Sequence, residues 1–220
     1  MNEDDARGRR DARGAANTRT VLIVAIVAAV LGAGAGLLVS GPGPIWRSEW
    51  GQRALQEAAD ATAPTVPEGT RVAELGDPMP ALRLPDLDGR TVALPQAYAG
   101  RPLLINVWAS WCGPCIDEMP ELQRYSERQG ANGVQVIGLA LDDPAAVREF
   151  LARVPVDYPI VVEPPGPADA SVRLGNRRGV LPYSVLIDRD GRVAKQRIGP
   201  FAHGELDGFD DGLVDDSGPR

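Results

Sequence analysis

The longest apolar stretch of the chain lies near its N-terminus. From Val21 to Val39, 19 consecutive residues carry no charged or polar side chain, enough for a helix to cross a hydrocarbon core of roughly 30 Å. A cleaved signal peptide would have a shorter apolar region. Arginines are more numerous before this run than after it, and positive residues favour the cytoplasmic side of a membrane. We therefore predict a single-pass anchor at residues 20–40, with a cytoplasmic tail at 1–19 and the remainder of the chain outside the cytoplasm.

Further along the chain, two kinds of apolar pattern alternate. "RPLLINVWAS" and "GVQVIGLALDD" are continuous apolar runs, typical of strands buried on both faces. "CIDEMPELQRYSERQG" and "DPAAVREFLARV" each predict a helix, the first with Gly130 near its end and the second opened by Asp143-Pro144. Strands alternating with helices in this way indicate an α/β fold.

Turn residues and linker composition divide the chain further. Asp88-Gly89 and Asp190-Gly191 predict the turns of two β-hairpins. Residues 41–70 read as a linker that contains a short helix near Ser48–Ala61. The globular domain is predicted at 71–203, as a mixed central sheet flanked by helices.

Composition and charge narrow the possible functions. The net charge of −7 and the sequence pI of about 4.8 disfavour a nucleic-acid partner, because phosphate binding needs a basic face. The C-terminal residues 204–220 carry six acidic residues and several glycines and are expected to form a solvated acidic tail. With one histidine and two cysteines in the whole chain, a closed four-ligand zinc site is excluded, and we expect no metal site.

The two cysteines, Cys112 and Cys115, follow directly on a predicted strand. If a helix begins at Gly113, Pro114 lies in its first turn, where proline is favoured. The sulfur of Cys112 then meets unpaired N–H groups and the positive end of the helix dipole, which favour the thiolate. Cys115, one turn later, is placed to attack a mixed disulfide formed by Cys112. The alternatives are a structural disulfide, which would stabilise little because its loop is tiny, and a two-thiolate metal clip.

Two longer motifs carry a family resemblance. "NVWASWCGPCIDEMPEL" and "GVLPYSVLIDRDGRV" resemble the thioredoxin superfamily, and more closely its membrane-anchored thiol:disulfide oxidoreductases of the TlpA, ResA and CcmG type. The likeness covers about Arg71 to Phe201. It implies a thioredoxin-like fold in the domain that follows the membrane anchor.

The resemblance also implies roles for individual residues. Cys112 matches the nucleophilic cysteine of the redox disulfide and Cys115 the resolving one. Trp111 matches the tryptophan that borders the active site. Pro182 matches a cis-proline that faces the disulfide, and together with Leu181 it would dock an extended substrate.

A catalytic carboxyl is implied as well. Cytoplasmic thioredoxins carry a buried aspartate that assists proton transfer, but this chain has Asn106 at that position. In the ResA-like branch a glutamate three residues after the second cysteine serves instead, and Glu118 occupies that place. A partly buried carboxyl of raised pKa would give Cys115 a base near neutral pH. The alternative is an ordinary first-turn residue stabilised by the helix dipole.

By analogy with this family, we expect an enzyme that reduces disulfides of exported proteins, for example in cytochrome c or copper-site assembly. It would act in the periplasm from the inner membrane, receive electrons from a membrane thiol donor, and need no cofactor. The alternatives are a disulfide oxidase or isomerase, and a non-enzymatic chaperone that handles Cu(I) or haem. The near absence of methionine around the cysteines, with Met119 alone nearby, disfavours the copper role.

Overall fold

The computed structural model of the protein describes residue 27 and residues 48–61, 65–130 and 133–210. Apart from Val27, the predicted cytoplasmic tail and membrane anchor lie outside these residues. Within them, no helix combines the length and the apolar character that a membrane crossing requires. The division into an anchor, a linker at 41–70 and a domain at 71–203 stays a prediction.

Strands and helices alternate through most of the described chain. In order they are α1 (Glu49–Ala61), β1 (Leu82–Pro85), β2 (Thr91–Leu94), β3 (Leu103–Trp108), α2 (Gly113–Gln129), β4 (Gln135–Leu141), α3 (Pro144–Leu151), β5 (Ile160–Glu163), α4 (Ala170–Arg173), β6 (Tyr183–Ile187) and β7 (Val193–Ile198), with short 3₁₀ helices at Gln96–Tyr98 and Glu205–Gly208. The helices and strands predicted from the apolar runs are confirmed, as are both Asp-Gly hairpins.

The main sheet is mixed, with the strand order β5-β4-β3-β6-β7. Strands β3, β4 and β5 are parallel, whereas β6 runs antiparallel to both β3 and β7. The end of β3 therefore lies beside the end of β4 and the start of β6, with Trp108 opposite Ala140 and Val107 opposite Tyr183. The loops that follow β3 and β4 and the loop that precedes β6 therefore meet at one edge of the sheet. That edge carries the candidate site.

The hydrophobic core forms one layer on each face of the main sheet. The central strand β3 contributes to both layers and is buried on both faces. Leu104 and Trp108 face helices α2 and α3. Ile105 and Val107 face the β1–β2 hairpin and α4. This alternation follows from the two-residue period of a strand. A mixed sheet with layers on both faces is the predicted α/β arrangement, which is thioredoxin-like.

The segment between α3 and β6 holds two elements that the sequence patterns did not predict. Strand β5 has four residues and α4 also has four. Prolines at 159 and 164 bracket β5, and proline–glycine steps follow it, so the segment resembled a loop. Pairing with β4 supplies the order that such a short run lacks alone.

The expectation of a solvated tail is wrong for residues 204–210. Leu206 is fully buried, and the ring of Phe209 lies 5.0 Å from that of Phe201. Asp207 forms an ion pair with Arg128 of α2. Leu206 and Phe209 stand among acidic residues, so the sequence pattern did not indicate that they are core residues. Their side chains complete the core beneath α2. Residues 211–220 lie outside the described chain.

Helix α1 lies against the last strand of the sheet. The Gln52 Oε1 atom accepts the N–H of Ile198 at 2.8 Å, and Gln56 donates to the carbonyl of Gly175 at 2.9 Å. Since β7 is an edge strand, its outward N–H groups could pair with another strand. Gln52 accepts one of them, the N–H of Ile198.

Candidate active site

The turn from β3 into α2 carries the two cysteines. Cys112 is the N-cap of α2 in an extended conformation, with Pro114 in the first turn. The cysteines are joined by a disulfide. Cys112 keeps 6% of its surface exposed, whereas Cys115 has none. An incoming sulfur can therefore reach Cys112 first, which is the order expected from the sequence.

One backbone donor points at the sulfur of Cys112. The N–H of Cys115 points at the Cys112 Sγ atom, with N and Sγ 3.3 Å apart. Such a donor and the positive end of α2 both stabilise a thiolate more than a thiol. Cys112 thus lies at the N-terminus of α2 beside a backbone donor, the position expected from the sequence.

The outer rim of the site is apolar and open. Trp111, directly before Cys112, is 70% exposed. The Leu181–Pro182 peptide bond is cis, as the resemblance implied, and Pro182 lies immediately before β6. Because β6 begins beside the end of β3, Trp111 and Leu181 line the same surface groove.

A carboxylate holds the loop that carries the nucleophile. Asp142 follows β4 and accepts both the N–H and the hydroxyl of Ser110, at 2.9 and 2.6 Å. Partial burial acts to raise the pKa of Asp142, but the hydrogen bonds from Ser110 and from the N–H of Asp143 outweigh it and lower that pKa below its ordinary value. Asp142 thus remains ionised while it fixes the turn two residues before Cys112.

On the inner side of the disulfide, Glu118 is buried in a polar network. The amide nitrogen of Asn106 donates to Glu118 Oε1 at 2.7 Å and to the Ser184 hydroxyl at 3.0 Å. The N–H of Phe201 donates to Glu118 Oε2 at 2.8 Å. Glu118 is 1% exposed, so its carboxyl exchanges protons with groups of the protein rather than with open solvent.

Burial raises the pKa of Glu118 to about 7, although the Phe201 N–H, the Asn106 amide and the charge of Arg197 each act to lower it. Arg197 is 3% exposed and pairs with Glu205 at 3.0 Å. A carboxyl that titrates near neutrality is suited to accept and return a proton in this pH range. Glu118 is three residues after Cys115 on the same helix, a spacing that places the two side chains on one face.

Trp111 and Leu181 line one groove, and Leu181 also packs against the core cluster that contains both cysteines. Glu118 lies on α2 with Cys115, and Pro182 is buried directly before β6.

The structure adds partners that the sequence patterns did not reveal. Ser184 and Arg197 belong to the inner network, and Ser110 and Asp142 to the loop clamp. Ser184 lies opposite Asn106 in the register of β3 and β6, a pairing that no local pattern reveals. Arg197 lies in β7, where it follows two other polar residues. Its burial could therefore not be predicted from the sequence pattern.

No group of three histidine, cysteine or carboxylate side chains in the described chain is arranged to hold a metal ion. The two cysteine sulfurs are the soft ligands at this edge, and they are bonded to each other.

Comparison with known proteins places the sequence among thiol–disulfide enzymes. The Redoxin family profile matches residues 74–213. Thiol-disulfide oxidoreductase ResA of Bacillus anthracis is 30% identical over 139 residues, covering 62% of this chain and 76% of its own length. Thiol:disulfide interchange protein DsbE of Pseudomonas aeruginosa is 34% identical over 129 residues, covering 57% of this chain and 67% of its own.

Solved structures agree with this placement. A Chlorobium tepidum structure assigned as a thiol:disulfide interchange protein DsbE is 32% identical, with a TM-score of 0.52 over 59% of this chain and 88% of its own. A Bacteroides thetaiotaomicron structure assigned as a protein disulfide isomerase is 26% identical, with a TM-score of 0.54 over 62% and 85%. A DsbF homologue from Corynebacterium diphtheriae, at 24% identity and a TM-score of 0.53 over 66% and 94%, shares the fold.

Proposed function

The chain belongs to the Redoxin family, as a thiol:disulfide oxidoreductase of the TlpA, ResA and CcmG type, and on that premise we propose that it reduces disulfides of exported proteins. The observation that carries the proposal is the disulfide at the start of α2, where Cys112 alone is accessible. The open rim beside it, with Trp111 and Leu181, supports docking of a polypeptide.

The proposed reaction has two sulfur exchanges. In the reduced enzyme, the Cys112 thiolate attacks one sulfur of the substrate disulfide, forming a mixed disulfide and releasing one substrate thiolate. Cys115 then loses its proton and attacks the Cys112 sulfur, which releases the second substrate thiolate. The substrate gains two electrons, and the enzyme ends with the Cys112–Cys115 disulfide seen in the structure.

In this scheme Glu118 is the group that accepts the proton of Cys115. Its pKa of about 7 means that a large fraction is ionised at neutral pH and able to take the proton. Asn106 and the N–H of Phe201 hold the carboxylate oxygens in place. In the reverse reaction, the protonated Glu118 returns the proton to Cys115.

We place this activity outside the cytoplasm, with the chain tethered to the membrane by residues 20–40. The 19-residue apolar run and the preceding arginines support the tether. One thiol pair cannot regenerate itself, so a membrane thiol donor would supply the electrons. Cytochrome c haem-binding cysteines and copper-site cysteines are the substrate classes we favour by family analogy.

The midpoint potential of the full chain tests the direction of the reaction. Thiol trapping in graded redox buffers should give a value near that of thioredoxin, roughly −270 mV, for a reductant that needs a continuous electron supply. A value nearer roughly −120 mV would identify a disulfide donor and overturn the proposed direction.

Membrane attachment is tested separately. The full chain expressed in cells should stay in the membrane pellet after alkaline carbonate extraction, and protease added to spheroplasts should cut the domain. Recovery in the soluble fraction would contradict the tether without affecting the proposed chemistry.

A further inference from the structure

The groove beside the disulfide carries positive charge on a chain whose net charge is −7. Its volume is about 280 Å³, and its apolar lining includes Trp111, Leu141, Val172 and Leu181. Two arginines, Arg177 and Arg178, line the same groove. An apolar floor with guanidinium groups at its side suits a peptide segment that bears a carboxylate.

The loop that carries the two arginines is fixed before any ligand arrives. Asn176 is 3% exposed. Its Oδ1 atom accepts the N–H of Val180, and its amide nitrogen donates to the Val180 carbonyl, both at 3.0 Å. The N–H of Gly179 also donates to the carbonyl of Asn176 at 3.1 Å. Arg177 and Arg178 are therefore the two central residues of a closed turn, and their position beside the groove costs little further ordering.

The acidic group that lines the groove is already engaged. Asp169 is 8% exposed. One of its carboxylate oxygens accepts the N–H of Gly166 at 2.9 Å. The other accepts the hydroxyl of Ser171 and the N–H of Val172, at 2.8 and 3.0 Å. Its charge is thus directed at α4 and the preceding loop. At the groove, Arg178 is exposed and Arg177 half-buried.

We propose that this groove selects substrate segments with an aspartate or glutamate close to the target cysteine, and that Arg177 and Arg178 determine this specificity. The inference rests on the proposed function, because the groove adjoins the nucleophile through Trp111 and the cis-proline through Leu181. The occupant is an extended, acidic stretch of a disulfide-bonded polypeptide. Its apolar residues pack on the floor while its carboxylate meets the guanidinium groups.

The test compares reduction of three disulfide-bonded peptides by the reduced full chain. The peptides are identical except for Asp, Asn or Lys two residues from the cysteine. We expect kcat/KM for the Asp peptide to exceed that for the Asn peptide by roughly three- to tenfold at low salt, the range for one or two exposed ion pairs. The ratio should fall towards one at high salt, because exposed charges are screened.

Variants of the two arginines make the test specific. In R177Q/R178Q the Asp-to-Asn ratio should fall towards one, and R177E/R178E should prefer the Lys peptide. The matched control R83Q/R153Q removes two arginines that do not line the groove and should keep the wild-type ratio. If R177Q/R178Q does not fold, R178Q alone, at an exposed position, should still lower the ratio.

Three results would overturn the inference. The first is an unchanged Asp-to-Asn ratio in R177Q/R178Q, which would show that the two arginines are solvated and do not contact the substrate. The second is an unchanged ratio combined with weaker co-sedimentation of that variant with phosphatidylserine vesicles, which would identify a lipid headgroup as the anion. The third is equal rates on all three peptides with the wild type, which leaves the proposed reductase intact. Failure to reduce any of them would instead contradict the proposed function itself.

Discussion

Beneath the Cys112–Cys115 disulfide, the Asn106 amide links Glu118 and Ser184 in a buried network, whereas Trp111 on the outer rim faces solvent. Glu118 and Asn106 are each 1% exposed, while Trp111 is 70% exposed. Hydrogen bonds in a buried network are electrostatically stronger than in water, so the network holds the Glu118 carboxyl in a defined position. An open rim makes few contacts by itself, so its contribution to the binding free energy depends on the polypeptide that docks there. We therefore expect the inner side to govern the sulfur chemistry and the rim to govern which disulfide is reduced.

The largest expected effect comes from the cysteines that separate the two sides. Cys112→Ser should reduce disulfide-reductase activity to the uncatalysed background, because the first exchange has no nucleophile. Cys115→Ser should also stop turnover, but it should accumulate a mixed disulfide with substrate that intact-mass spectrometry detects. Accumulation in the Cys112→Ser variant instead would reverse the assigned roles.

The inner side can be separated from the sulfur chemistry by measuring stability in the oxidised protein, whose cysteines do not titrate. The pKa of Glu118 is raised from 4.5 to about 7 on folding, so the folded state binds more protons than the unfolded state between these values. Stability from Glu118 is therefore full below pH 4.5 and is lost as pH rises through 7.

The loss should be on the order of 3 kcal/mol relative to Glu118→Gln, which cannot ionise. Denaturant unfolding of both proteins at pH 4.5, 6 and 8 measures it. Parallel pH dependence of the two proteins would show that Glu118 titrates normally and would remove it as a base near neutrality.

The kinetic role of Glu118 is expected to be slightly smaller. Glu118→Gln should slow the release of substrate from the mixed disulfide by about a hundredfold at pH 7, the lower end for general acid–base catalysis. The rate profile of the wild type should show an inflection near pH 7 that the variant lacks. Substrate binding should change little, because the rim is untouched. A variant with reduced affinity but a normal pH profile would contradict this separation of the two sides.

The smallest effect is expected at the clamp between the sides. Asp142→Ala removes the acceptor of two Ser110 hydrogen bonds and should lower stability by about 1 kcal/mol. The activity should fall severalfold because the loop before Cys112 loosens. Asp142→Asn keeps an acceptor and should recover most of both. Equal defects in the two variants would point to the charge of Asp142 rather than to its hydrogen bonds.

The same contrast decides what could be predicted from the sequence. The strands around Ile105 and Leu139 and the turn at Asp190-Gly191 are local signals, and they were found. The cysteine pair and the proline between the cysteines likewise indicate a redox site from only four consecutive residues. Glu118 was found through a family resemblance. Ser184, which accepts from the same Asn106 amide, was not, because its place depends on strand register and lies 78 positions from Asn106. Burial of Leu206 was missed because acidic neighbours masked one apolar contact with a distant helix.

The hydrogen bond between Gln52 and Ile198 joins residues 146 positions apart, almost the whole length of the folded region. A chain made from its N-terminus onward contains helix α1 long before β7 exists. The Gln52 side chain consequently lacks the N–H donor of Ile198 until the final strand has been synthesised. Closing so long a loop is slow compared with local pairing. We expect α1 to dock as a late folding event, so that an incomplete chain keeps the edge of its sheet open to chaperones.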